Sequence, residues 1–173
     1  MSISFWRSTT MFEGNGPSYI SAHSADVILS DIRPIKLKPE GLRAINVLLD
    51  EFLAKILSTS SSLVTDKLRA SLLSLLPTSL GKEALLEAEV ELRAYWERTD
   101  PKSVPEDDSQ TFHLQWAFSL LRVKCEAYST LNEGDEDPDA ESRVNQMFDR
   151  ADIQPPKSSL IDPAALYLTA ILE

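Results

Sequence analysis

The sequence has little of what most catalytic and metal chemistry requires. Its 173 residues include one cysteine, Cys125, and two histidines, His23 and His113. A lone cysteine excludes an intramolecular disulfide, and with it a scaffold built on bridges. Two histidines leave no His-based metal set. The five glycines form no phosphate-cradling loop. Gly81-Lys82 has Leu76 where the earlier glycine belongs and Glu83 where Ser or Thr should follow, and Gly14-Asn15-Gly16 has no third glycine and no preceding strand. Positive charge is also scarce. The 17 Lys and Arg stand against 27 Asp and Glu, a formal net charge of −10. Direct DNA binding is therefore disfavoured, since affinity for a phosphate backbone comes from neutralising it. No run approaches the roughly 18 apolar residues of a transmembrane segment. The N-terminus, with a single Arg7 before Glu13 and no apolar stretch, is not a secretory signal.

What remains is an ordinary globular composition, 43% apolar, in a chain long enough for one domain or two small ones. Residues 1–34 are rich in Ser, Gly and Pro without sustained period, and read as a flexible leader. Residues 35–98 read as three helices. Pro39 suits a first helical turn, and after it Leu42, Ile45, Leu49, Phe52 and Ile56 recur every three or four residues, the face being broadened by Leu48 and Leu53. This helix runs out in Ser58 to Ser62, whose hydroxyls compete for backbone hydrogen bonds. Thr65 is placed to cap a second helix that Pro77 stops. Ser79 is placed to cap a third, with Leu80, Ala84, Leu85, Ala88, Leu92, Tyr95 and Trp96 as its buried stripe and Glu89, Arg93 and Glu97 opposite.

Residues 99–110 form a linker with two prolines and three consecutive acids. Residues 111–131 are apolar at so many positions that a helix there must be covered on more than one side. Residues 132–142 hold six acids and no base between Glu133 and Glu141, a solvated linker. In residues 143–173 a short helix from Arg143 precedes Pro155-Pro156, and Asp162-Pro163 is a start signal for a last helix that reaches the end of the chain. No strand pair has hairpin chemistry. The fold class expected is all-α.

No catalytic, cofactor-binding or metal-binding constellation emerges. Asp135, Asp137 and Asp139 have the alternate spacing that opens a calcium loop, but Ala140 and Gln146 occupy the positions that need Gly and Glu. His113 and Cys125, on one helix, would be about 18 Å apart. Trp96, Trp116, Tyr95 and Tyr128 lack the basic groove that base stacking needs, and read as core aromatics.

Two stretches carry a resemblance. LRAINVLLDEFLAKIL followed by VTDKLRASLLSLLPTSLGKEALLEAEVELRAYW resembles the long central helix, the next short helix and the C-terminal helix of histone 2B, most specifically at Leu75-Leu76-Pro77 with Leu80, Lys82, Ala84 and Glu87. Pro163 and Leu166 to Glu173 are similar to the start of the central helix of histone 2A, where the residue matching Glu173 belongs to an acidic patch that docking partners recognise. A 2B-like half before a truncated 2A-like half also resembles the tandem histone-like domain of Ras exchange factors of the Son of sevenless type. Basic tails are missing, and Ser58 to Leu63 stands where core histones have a longer helix and a basic loop, so DNA-contacting residues do not carry over.

The resemblance implies a histone-fold-like module that works by protein heterodimerisation, as a regulatory or scaffolding part of a larger protein. Its interaction face would comprise Ile45, Leu48, Leu49, Phe52, Leu53 and Ile56 on the 2B-like side and Leu166, Tyr167, Leu168, Ile171 and Leu172 on the 2A-like side, with Glu173 as the acidic-patch residue. The partner would be another histone-fold-like chain or the continuation of the same polypeptide. An intracellular setting is expected, cytoplasmic before nuclear. The rival expectation is a nuclear histone-fold subunit that binds DNA together with a basic partner.

Overall fold

The structure, a computed structural model, describes residues 16–33, 35–99, 112–134, 137–151, 153 and 158–173. The first fifteen residues, nearly all of the 99–110 linker, the Asp135 that opens the calcium-loop spacing, and Pro155-Pro156 lie outside them. The described residues are all-helical: α1 (Ala22–Ser30), α2 (Pro39–Ser60), α3 (Thr65–Leu75), α4 (Thr78–Arg98), α5 (Leu114–Tyr128), α6 (Ala140–Asp149) and α7 (Ser158–Leu172), with no strand. None of these helices is long and apolar enough to cross a membrane.

Local chemistry accounts for most of the helix ends. Pro39 opens α2 with Glu40 in its first turn, where a missing N–H costs nothing and an acid faces the positive end of the dipole. The helix ends inside the serine run: Ser58 and Thr59 hydroxyls donate to the Lys55 carbonyl at 2.9 and 2.8 Å, and Ser61 turns left-handed at φ 48° while its N–H closes on Leu57. Between α3 and α4, Leu76 is extended because the following Pro77 disfavours the helical region for it.

Two expected caps are displaced. Thr65 is the first residue of α3 and makes no capping bond; Val64 occupies the cap position, its own N–H held by the Ser62 hydroxyl at 3.1 Å. Thr78, next to Pro77, opens α4 one residue before Ser79.

Three further expectations need correction. Residues 16–33 are not a leader without structure: Ser21 accepts a 3.1 Å bond from Ser24 N–H and caps α1, and Tyr19 is only 2% exposed. The acidic linker stops short, since Asp137 pairs with Arg143 and α6 begins at Ala140. The last helix begins at Ser158 with Pro163 inside it. That proline leaves the Ser159 carbonyl without its i+4 donor, but it is buried against the core.

Packing is organised around α7, which lies most extensively against α4, then α5, and also touches α2 and α3. Ala164, Ala165, Tyr167, Leu168, Ile171 and Leu172 are buried, so this helix has almost no wet side. Residues 116–121 of α5 are all buried, as the density of apolar residues there requires. The core is continuous from Tyr19 through Leu53, Leu57 and Leu72 to Trp116, Leu121, Val144 and Leu168. Lys124 ties α5 to both later helices, with its Nζ 3.1 Å from Glu141 and 3.1 Å from Asp162.

Leu57→Ala, at a side chain with no exposed surface, is expected to cost about 2–5 kcal/mol in urea unfolding. Leu86→Ala, at one 65% exposed, is expected to stay within about 0.5 kcal/mol.

Candidate functional site

The expected interaction face divides. On α2, Leu53 and Ile56 are fully buried, Leu49 and Phe52 are half-buried, and Ile45 and Leu48 are exposed, Leu48 at 64%. On α7, Tyr167, Leu168, Ile171 and Leu172 are buried and Leu166 is half-buried. The buried members already pack inside this chain and are not a free surface. Of the face, Ile45 and Leu48 remain open, joined by Val47 on the same helix. Glu173 is exposed, with one carboxylate oxygen engaged within the chain. Its Oε1 accepts from Thr130 N–H at 2.6 Å and Thr130 Oγ1 at 3.0 Å, with Ser129 Oγ also 3.0 Å away.

A polar seam that periodicity did not reveal fastens the N-terminal segment to α2 and α5. Asn46 Oδ1 accepts from the N–H groups of Tyr19 (2.7 Å) and Ile20 (2.9 Å), while its Nδ2 donates to the carbonyls of Ile20 (3.1 Å) and Leu42 (3.3 Å). One side-chain amide thus uses all four of its bonding positions. The Tyr19 hydroxyl donates to Asp50 Oδ1 at 2.7 Å. Arg122 Nε donates to the same oxygen at 2.7 Å and its Nη2 pairs with Oδ2. Ser18 N–H reaches Glu126 at 2.9 Å and Ser21 N–H reaches the Leu131 carbonyl at 2.8 Å.

The electrostatics follow from burial and charge pairing. Burial, then the Asp50 charge, pushes the Tyr19 phenol well above its ordinary range. Burial pulls the Arg122 guanidinium down, but its bond to Asp50 together with the charges of Asp50, Tyr19 and Glu126 outweighs this and the net movement is upward. Burial raises Glu126, opposed by the Ser18 N–H.

Cys125 has no exposed surface, and burial pushes its thiol up to about 12. A thiol held protonated in the core is not a nucleophile at neutral pH. His113 sits exposed at the start of α5. Trp116 is buried edge-on to Phe148 at 6.2 Å. No group of three or more His, Cys, Asp or Glu among the described residues could hold a metal.

A groove of about 650 Å³ lies between α3 and α4, floored by Tyr167 of α7. Thr65, Asp66 and Arg69 line one bank, and Glu89, Leu92, Arg93, Trp96 and Glu97 line the other. Arg69 bridges the banks to Glu89 at 2.9 Å, with both side chains about half exposed. Glu89 therefore pairs across helices and not with the Arg93 that sequence spacing offered. Such an exposed pair is worth under about 1 kcal/mol. Trp96 is held edge-on by Tyr95, with ring centres 5.0 Å apart.

No protein-family model, no curated protein and no solved structure matches this chain.

Tyr19→Phe removes one of the donors to Asp50 and is expected to lower stability by about 1–3 kcal/mol; Arg122→Leu, which leaves the carboxylate without its cation, should cost about 3–5 kcal/mol. A second expectation concerns alkali. The Cys125 and Tyr19 protons are held more tightly in the folded chain than in the unfolded one. Stability should therefore be full well below pH 9, where the unfolded thiol is half ionised, and be lost as pH rises towards about 12. Cys125→Ala should flatten the start of that decline when thermal midpoints are compared across the range.

Proposed function

We propose that the chain is a non-catalytic protein interaction module of histone-fold type, whose work is heterotypic helix packing. The observation that carries this reading is the packing of the 2A-like helix α7 against the 2B-like helices α3 and α4 within one chain. Most of the apolar face that such modules offer to a second copy is taken up internally in this way. The succession of a 22-residue helix, an 11-residue helix and a 21-residue helix over α2 to α4 agrees with the resemblance to histone 2B.

The face left over is Ile45, Val47 and Leu48 on α2. Exposed apolar residues grouped on one helix mark an interaction site when they are contiguous. In this reading they receive another histone-fold-like chain or the continuation of the same polypeptide, and the module regulates or scaffolds a larger protein.

Co-expression with histone-fold chains should yield a 1:1 complex by light scattering, and Leu48→Glu should weaken it about tenfold or more while leaving the thermal midpoint of the isolated chain unchanged. A Leu48→Cys thiol that stays fully reactive in the uninterrupted reading frame, together with no complex from any histone-fold chain, would overturn the proposal. Cys125 is buried and would not confuse that readout.

A further inference from the structure

We propose that the groove over Tyr167 binds a guanidinium group, the side chain of an arginine presented by a partner polypeptide. This does not draw on the histone-type reading and stands or falls separately from it.

The starting point is an unpartnered phenol. Tyr167 is 1% exposed, yet its hydroxyl makes no hydrogen bond among the described residues, and no buried side-chain polar atom fully shut off from solvent lacks a partner. Buried tyrosine hydroxyls are normally bonded. This one opens instead onto the floor of the groove, where a ligand donor would complete it.

Charge decides which ligand. The lining holds three carboxylates, Asp66, Glu89 and Glu97, against two guanidinium groups, Arg69 and Arg93. Arg69 is committed to Glu89, whereas Asp66 and Glu97 have no ion pair among the described residues. After burial, Glu89 is the main influence raising the Tyr167 phenol, to about 12; Asp66 adds to it, and Arg69 only partly opposes them. The potential at the floor is thus net negative. With Arg69 and Glu89 paired to each other, the free charges are the carboxylates of Asp66 and Glu97 against the one guanidinium of Arg93, a balance that favours a cation over an anion such as phosphate.

Shape narrows the cation. Trp96 offers a flat aromatic wall already steadied by Tyr95. A planar guanidinium can stack on an indole and fork to a carboxylate at once, which a compact ammonium cannot. The 650 Å³ volume leaves room for the backbone flanking such a side chain.

The test is a titration of the purified chain with N-acetyl-arginine methylamide, followed by amide and indole NMR shifts. Saturable shifts are expected at the Trp96 indole and at amides of α3 and α4. The citrulline analogue, which keeps the shape and loses the charge, should bind roughly tenfold more weakly or worse, as should the arginine probe on Trp96→Leu. The exposed Glu97→Gln change cannot disturb the core and should weaken binding several-fold. Shifts that do not saturate, equal binding of the citrulline analogue, binding unchanged in Glu97→Gln, or inorganic phosphate acting on the same signals would each overturn the proposal.

Discussion

A fifteen-residue helix with almost no polar side has to be wrapped, and α7 imposes that requirement on the rest of the molecule. Its buried residues, Ala164, Ala165 and Tyr167 among them, face in several directions. A helix apolar all round is stable in water only when neighbours cover every side. α4 and α5 supply most of that cover, and α2 and α3 add to it. The small Ala164 and Ala165 let these neighbours approach closely. The continuous core is a consequence of covering this one segment.

Wrapping α7 leaves a second problem, a carboxylate at the meeting of α2 and α5. Asp50 is 9% exposed, and a charge taken out of water must be paired and bonded to be tolerated. Arg122 supplies the cation from α5, lying 4.7 Å over the Phe118 ring, and Tyr19 supplies a neutral donor from the N-terminal segment. Asn46, one turn earlier on α2, holds that segment by its backbone. The seam does for residues 18–21 what a neighbouring strand would do in a sheet, satisfying main-chain groups that no helix satisfies.

The sequence made the framework of long helices legible and left most of their neighbours unspecified. Leu42, Ile45, Leu49, Phe52 and Ile56 mark α2 because their spacing is local. The same spacing cannot tell Leu53, sealed in the core, from Leu48, open to solvent, since periodicity reports that a position is apolar and not what covers it. α1 escaped because it buries only Ala25 and follows a segment, residues 18–21, that is fixed by bonds to residues far along the chain. The start of α7 was misplaced because Asp162-Pro163 mimics a helix opening that burial overrides. The groove was out of reach because Asp66 and Tyr167, about a hundred positions apart, meet only through the packing of α7.

The fastening of the N-terminal segment also sets an order of events. Ser18 reaches Glu126 and Asn132 across separations of 108 and 114 residues, whereas α2, α3 and α4 meet through short turns. Closing so large a loop costs chain entropy before any contact repays it. The seam therefore has a surface to close on only where α2 and α5 have come together, since its partners Asn46 and Asp50 lie on one and Arg122 and Glu126 on the other.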